Sequence, residues 1–459
     1  MASDEPRLMI DSMDAAIHYI FKTRRRLDAA PRGLDEYTRD ITLTRGLLER
    51  ANLMNEARQY AVVTGSRGKG SVTAIMAKLL QSLGHCVGAI TSPHLVHWNE
   101  RIRVNGRMIP TADFLRILRG LQPMIDSVVA ELAPGQYLSP QGIFLAVALR
   151  HFDERNVDAA VLEVGRGGRF DDVAVAPNKV SVFAPIMLEH TALLGEEIER
   201  IAWHKAGIIK DGGEAVTLPQ DQSALGVIKA EAQLKRANLT CLAHSELARL
   251  VADKPGGQLI NLPPYGELFL PMLGRYQIDN ATLAIRAVEA FQRVLNAGAA
   301  ESAATIDRIR RGLGGVKWLG RVQLLSENPH VFVDGAITVP SAESFIDSVR
   351  GRLRQPVVAI VGIPRDRNYA GVYRVMARVS RSLIITETDI NPNTRFPAPE
   401  DATAAARAAC ADLSYTRDLP SALALARTRA GPSGTILLAG SLMLVGECML
   451  IWDVDTTAI

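Results

Sequence analysis

The sequence predicts an α/β protein: a doubly wound, mostly parallel sheet followed by a second, smaller α/β unit. Three observations predict it. Ala61 to Val63 is short and β-prone, ends in the glycine-rich turn Gly65-Ser-Arg-Gly-Lys-Gly-Ser71, and leads into Val72 to Leu83 with apolar residues at helical spacing. Strand-like and helix-like segments then alternate to about residue 210, as a parallel sheet wound with helices requires. Finally, Gly312-Leu-Gly-Gly315 and Trp318-Leu-Gly-Arg321 interrupt the pattern before further short strands, so the expected units are 1–317 and 318–459.

A chain of 459 residues exceeds the usual single-domain size. A net charge of +3 with 22% charged residues gives no case for a general nucleic-acid or membrane surface. Cys86, Cys241, Cys410 and Cys448 are scattered without a C-x-x-C pair, as in a reducing cytoplasm. The start Met1-Ala-Ser-Asp-Glu-Pro-Arg7 lacks the basic-then-apolar order of a secretory signal, and no apolar run reaches the length that spans a bilayer. A cytoplasmic monomer acting on small molecules is the expectation.

Taken in order, residues 8–58 read as helices whose apolar face includes Met13, Ile17, Ile20 and Phe21, resumed at Ile41 to Leu53 after a polar bridge with Pro31 and Gly33. The run Arg24 to Arg26 is a solvated helix face. After the glycine turn, Cys86 to Ile90 is a second strand ending in Thr91-Ser-Pro-His-Leu95, and Asn99 to Gly106 alternates in polarity up to an Asn-Gly turn. Helices are expected at 112–132 and 140–152. Asp158 to Val164 is a buried-type strand carrying Glu163 at its C-terminal end, where ligands gather in open α/β sheets. Lys179 to Leu188 is a further strand ending in Glu189-His190, and 198–210 a helix carrying Trp203-His-Lys-Ala-Gly207. Short strands and one helix fill 214–272, and a helix begins near Gln277. In the second unit, His330 to Val333, Pro356 to Val361 and Gly434 to Ala439 are strands, and the alanine-rich stretch 402–411 suits a helix.

The turn carries the chemistry. Successive backbone N–H groups at a helix N-terminus favour an anion, Lys69 adds a full charge for phosphate and Ser71 a hydroxyl for magnesium. The general P-loop spacing is not matched, because Val63 stands at its first glycine and Gly70 directly follows the lysine. Taken alone, Glu163 is a solvated carboxylate at a strand end, His190 a structural histidine and Lys205 a helix-face charge. His94 and His97 lack further ligands at metal spacing, and Gly165-Arg-Gly-Gly168 is a poor dinucleotide fingerprint.

With these residues laid out, the chain resembles the folylpolyglutamate synthase/dihydrofolate synthase family, a branch of the Mur-ligase-like ATP-dependent amide ligases, in register from about residue 40 to 450. Thr64 to Ser71 is similar to its G-T-N-G-K-G-S loop, and Thr91 to Leu95 with Glu100-Arg-Ile102 to T-S-P-H-L…E-R-I. Glu163 to Asp171 resembles E-x-G-x-G-G-R-x-D, Leu188-Glu-His190 L-D-H, and Trp203 to Gly207 W-x-K-A-G. The resemblance implies a P-loop-containing first domain, a smaller Rossmann-like C-terminal domain, and a reaction joining a carboxylate to an amine with ATP through an acyl phosphate. It also implies roles. Gly65, Ser66, Arg67, Gly68, Lys69, Gly70 and Ser71 hold the nucleotide's phosphates, Gln277 and Asn280 lie on its adenine side, and Arg321 and Asp334 reach triphosphate and ribose. Ser71, Ser92 and Glu163 ligate one Mg²⁺, Glu163 with His190 a second, and Lys205 is the lysine that becomes carbamylated.

Departures cluster at the same places. Arg67 replaces the loop asparagine, Ala174 an asparagine of D-A-T-N, Tyr276 the histidine of H-Q-x-x-N, and Ile337-Thr338 the His-Asn of D-G-A-H-N-P. Arg67 supplies paired hydrogen bonds to a phosphate or a substrate carboxylate that asparagine cannot. Three readings stay open at this point: a ligase adding glutamate to a folate or pteroate, a ligase joining another amine to another carboxylate, and a non-catalytic ATP-binding relative.

Overall fold

The computed structural model describes residues 9–25, 27, 33–295, 302–390 and 394–459. Arg26, Pro31 and the N-terminal stretch Met1 to Arg7 lie outside them.

The first sheet has eight strands, β1 (Gln59–Thr64), β2 (Val87–Ile90), β3 (Ile102–Val104), β4 (Arg107–Met108), β5 (Ala159–Glu163), β6 (Val180–Phe183), β7 (Glu214–Thr217) and β8 (Asn238–Cys241). Their order is β4-β3-β2-β5-β1-β6-β7-β8, parallel throughout except where β3 pairs with β2 and β4. β1 is central because its residues are wanted on both sides: Tyr60 and Val62 enter one core, Ala61 and Val63 the other. Helices therefore cover both faces, Thr111–Ala130 and Pro140–Glu154 on the first, Lys69–Ser82 and Arg275–Val294 on the second. Asn105 and Gly106, both at positive φ, turn β3 into β4 as their sequence requires.

A three-stranded antiparallel meander, β9 (Arg249–Lys254), β10 (Gly257–Leu262) and β11 (Gly266–Leu270), adds to the second core. The expected strand 179–188 is shorter than its apolar run: β6 stops at Phe183, and residues 184–190 leave the sheet as a loop.

The second unit is a six-stranded sheet, β12 (Gln323–Glu327), β13 (His330–Asp334), β14 (Val357–Gly362), β15 (Ser382–Ile385), β16 (Asp412–Tyr415) and β17 (Thr435–Gly440), ordered β12-β13-β17-β14-β15-β16. Only β12 runs antiparallel. The three expected strands are β13, β14 and β17, the buried centre; β12 and β16 are edge strands with polar residues, and β15 has four residues.

Of the glycines between 312 and 315, Gly312 and Gly314 fall inside the helix Ala303–Gly314 and Gly315 is its C-cap. Gly312 serves close packing there, since a Cβ on it would lie 2.5 Å from the Ser82 hydroxyl. The chain crosses between sheets just afterwards, through Trp318 to Val322. It crosses back at its far end, where Met108 N–H donates to Thr457 O at 2.9 Å and the buried Arg103 guanidinium donates to Thr456 O and Thr457 O at 2.9 and 3.0 Å.

Candidate active site

The site forms where the C-terminal ends of β1, β5 and β6 meet residues at the end of β13. Gly65 is at φ +145°, and a Cβ there would stand 2.7 Å from Ala184 Cβ; Gly68 is at φ +80°, with Asn280 Oδ1 2.4 Å from where its Cβ would be. Glycine is required at Gly65, where backbone would be struck, and any side chain at Gly68 would be strained and would displace Asn280. Gly70 lies under the Trp318 ring, so the first turn of the helix Lys69–Ser82 is covered by the chain entering the second unit.

Ser66 is committed to the protein: its N–H donates to Pro185 O at 2.7 Å, and its hydroxyl exchanges hydrogen bonds with the Met187 backbone. It fixes the turn to the loop after β6. Among the described residues the N–H groups of Gly68 to Gly70 meet no protein acceptor, as the start of a helix leaves them.

Two lysines converge on one carbonyl. Lys69 Nζ donates to Gly65 O at 2.8 Å, and Lys205 Nζ to the same oxygen at 2.9 Å. Lys205 is 1% exposed and also pairs with Glu189 at 2.7 Å. Burial pulls its ammonium down to about 8, against the pull of Glu189. Burial works against ionisation of Glu189, but Lys205 and Lys69 outweigh it and hold its carboxyl below the usual range. Glu189 is the site residue that the sequence reading passed over; its signal was its place beside His190.

Glu163, at the end of β5, is buried and accepts from Ser92 N–H at 2.8 Å. Burial pushes its carboxyl up to about 7, opposed by Lys69, the Ser92 N–H, Arg321 and Arg101. Arg101, from the Glu100-Arg-Ile102 segment, is a further site residue that local pattern does not single out; Glu100 accepts the N–H groups of Leu95, Val96 and His97 and so shapes the loop bearing Ser92. Ser71 is buried on the first helical turn. His190, at φ +48° on the loop after β6, stands 4.0 Å from Glu189. Burial lowers its pKa, and Arg166, Arg367 and Lys69 add to that against Glu189.

From the second unit, Arg321 and Asp334 meet the same cleft. Asp334 accepts Val322 N–H at 2.8 Å, and burial pushes its carboxyl up to about 6 against Arg321, that N–H and Tyr276. Gln277 and Asn280 are buried and paired, Asn280 Nδ2 donating to Gln277 Oε1 at 2.9 Å, which leaves Gln277 Nε2 without an acceptor. Ile337 packs on the second unit's core, and Arg67 reaches Thr338. His94 accepts from Arg101 Nε at 3.0 Å and lies against Trp98, a structural role. Among the described residues no group of three or more His, Cys, Asp or Glu side chains is placed to hold a metal.

A phosphate-type turn on a central parallel strand, with a buried carboxylate above it and an arginine from a second α/β unit, is the frame of a nucleotide-using two-domain enzyme. The Mur ligase middle domain profile matches residues 63–288, and that of the Mur ligase, glutamate ligase domain residues 320–442. The fold and site thus define a Mur-type ligase.

The chain is 28% identical over 393 residues to the dihydrofolate synthase/folylpolyglutamate synthase of Bacillus subtilis (strain 168), covering 84% of this chain and 88% of that one. To the folylpolyglutamate synthase of Lacticaseibacillus casei it is 30% identical over 351 residues, covering 73% and 77%. The crystal structure of Mycobacterium tuberculosis folylpolyglutamate synthase complexed with ADP and AMPPCP matches with a TM-score of 0.82 at 26% identity, over 96% of this chain and 99% of that one. The chain belongs to the folylpolyglutamate synthase/dihydrofolate synthase family, whose members are ATP-dependent ligases.

Proposed function

We propose that this enzyme adds L-glutamate to a folate or dihydropteroate. The substrate carboxylate attacks the γ-phosphate of ATP, giving an acyl phosphate and ADP, and the amino group of glutamate then displaces phosphate from the acyl carbon. The observation that carries this reading is the convergence of Lys69, from the phosphate turn, and Arg321, from the second unit, on the buried Glu163. Two anionic reactants repel each other, and fixed cations at their closest approach remove that barrier. Lys69 and the free N–H groups of the turn hold the phosphates, Arg321 brings charge from the second unit, and apposition of the units keeps water from the acyl phosphate.

The donor set fits Mg²⁺. Glu163 is a buried carboxylate with one backbone partner, the Ser92 N–H, and Ser71, buried on the first helical turn, and Ser92 would supply hydroxyls. So few protein ligands suit a cation that keeps waters and takes phosphate oxygens. When bound, it withdraws charge from the phosphates; His190 serves the second position. Lys205 carries the carbamate: its amine, drawn down to about 8, has a neutral fraction able to add carbon dioxide. A carbamate beside Glu189 needs a cation between them. Intact-protein mass in bicarbonate buffer tests this, and a chain without the added carbon dioxide refutes it. Four unpaired cysteines support a reducing, cytoplasmic setting, and we read the working form as a monomer.

The deciding experiment is ADP release with Mg-ATP and L-glutamate, comparing dihydropteroate, tetrahydrofolate and no acceptor, with products weighed by mass spectrometry. A glutamate adduct establishes the reading. No stimulation by either pterin, from protein that binds ATP, refutes the folate assignment.

A further inference from the structure

The Arg67 guanidinium extends from the phosphate turn to the second unit, where Nη2 donates to the Thr338 hydroxyl at 3.0 Å across 271 positions of sequence. Thr338 is itself fixed. It is the N-cap of the helix Val339–Val349, and its hydroxyl lies 2.8 Å from that of Ser341, whose N–H it also accepts. A guanidinium carries five N–H donors, and this contact uses one. Among the described residues no carboxylate bonds to Arg67; Glu189 attracts it only through space, and burial holds its pKa below the usual arginine value. A hydroxyl can orient a guanidinium without neutralising it, whereas a carboxylate partner would cancel the charge. A half-buried cation oriented in this way is set up to receive an anion.

We propose that Thr338 is a positioning residue that presents the Arg67 guanidinium as an oxyanion-binding arm over the phosphate turn, so that Lys69 and Arg67 act together only when the two units are apposed. The inference rests on the ligase reading above and deepens it. The arm binds the paired terminal oxygens of an anion, and two sources offer them in this cleft: the terminal phosphoryl group of the nucleotide and a carboxylate of the amine substrate.

The test uses the full chain with Arg67→Gln, Thr338→Val, Thr338→Ser and Ser341→Ala. Calorimetric affinities for AMPPCP and ADP are measured beside KM for ATP and L-glutamate. Arg67→Gln weakens one of these by about tenfold to a hundredfold, the range for one charge-assisted hydrogen bond. Thr338→Val weakens the same quantity by about threefold to tenfold, and Thr338→Ser, which keeps the hydroxyl, stays within about twofold of the parent. Loss of AMPPCP affinity with ADP affinity kept assigns the arm to the phosphoryl group. A raised KM for glutamate with both nucleotide affinities kept assigns it to the carboxylate.

All four quantities staying within about twofold in Arg67→Gln overturns the proposal, as does a Thr338→Ser variant as weak as Thr338→Val. Ser341→Ala removes one of the groups that steady Thr338 but keeps the Ser341 N–H and the Arg67 contact, so its loss should be smaller than that of Thr338→Val; an equal loss assigns the effect to capping and also overturns it. A parent that binds AMPPCP but makes no ADP with glutamate and either pterin refutes the folate assignment alone. The AMPPCP affinities of the variants then decide the arm.

Discussion

Arg39 is the residue whose removal tests how the site is held. Its guanidinium lies 2.9 Å from Asp172, 3.3 Å from Asp171 and 3.8 Å from Asp35, with those carboxylate side chains 1–3% exposed. Asp171 and Asp172 close the loop that follows Glu163, and the same loop is pinned to the phosphate strand by the Thr64 hydroxyl donating to Gly167 O at 2.6 Å. Arg39→Met keeps the stem volume and leaves buried carboxylates without their cation. Breaking a buried pair from one side costs about 3–5 kcal/mol. The lower end applies, because Asp35 retains Arg166 at 2.6 Å and Asp172 retains the Thr44 hydroxyl at 2.6 Å. Urea unfolding followed by circular dichroism at about pH 8 should therefore show a loss of about 3 kcal/mol. Burial already raises the Asp171 carboxyl above its usual value, and the variant raises it further by removing the opposing Arg39. An acid whose folded pKa is raised destabilises the protein above that pKa and ceases to do so as pH falls toward the unfolded value. The deficit should accordingly narrow as pH falls from about 8 toward the ordinary carboxyl range. A loss under about 1 kcal/mol, or one that stays constant with pH, would show that these carboxylates are solvated and that the cluster does not hold the loop.

Three further outcomes are expected. Lys69→Ala and Glu163→Ala each lower turnover by about a hundredfold or more, the scale of losing a main charge contact in the transition state; a folded variant with an undiminished rate removes that residue from the site. Asp334→Asn should melt higher than the parent at about pH 8 and match it near pH 4. Its folded pKa of about 6 exceeds the ordinary 3.8, so the cost it removes, about 1–3 kcal/mol, is fully present above pH 6; equal melting at both pH values contradicts the raised pKa. Arg103→Met deletes donors to three backbone carbonyls, of Gly106, Thr456 and Thr457. Amide exchange at Thr457 and Ala458 should accelerate by about tenfold or more, and unchanged exchange would mean that the strand pairing alone holds the crossing.

Local pattern revealed what local physics controls. The centres of β1 and β5 are apolar on both sides because both sheet faces are covered, and the turn between β1 and its helix carries glycines at positive φ and close approach. Glu163 was readable from its place at a strand end. Its state was not: burial raises the carboxyl to about 7 against Lys69, Ser92, Arg321 and Arg101, and neither that burial nor the meeting of those residues can be read from the neighbourhood of Glu163 in the sequence. The glycines at 312 and 314 show the same limit. A glycine cluster signals either freedom or close approach, and only the position of Ser82 against Gly312 shows that close approach decides. The edge strands β12 and β16 carry polar residues because they are half-buried, so their alternation resembles that of loops. The departures from the family pattern carry the same lesson. In the sequence Arg67 and Thr338 are two unrelated substitutions; in the fold they are one hydrogen bond between the two halves of the cleft. An arginine gained on one side and a hydroxyl supplied on the other leave the cleft with an oriented, uncancelled positive charge, which a site that had lost its chemistry would have no reason to keep.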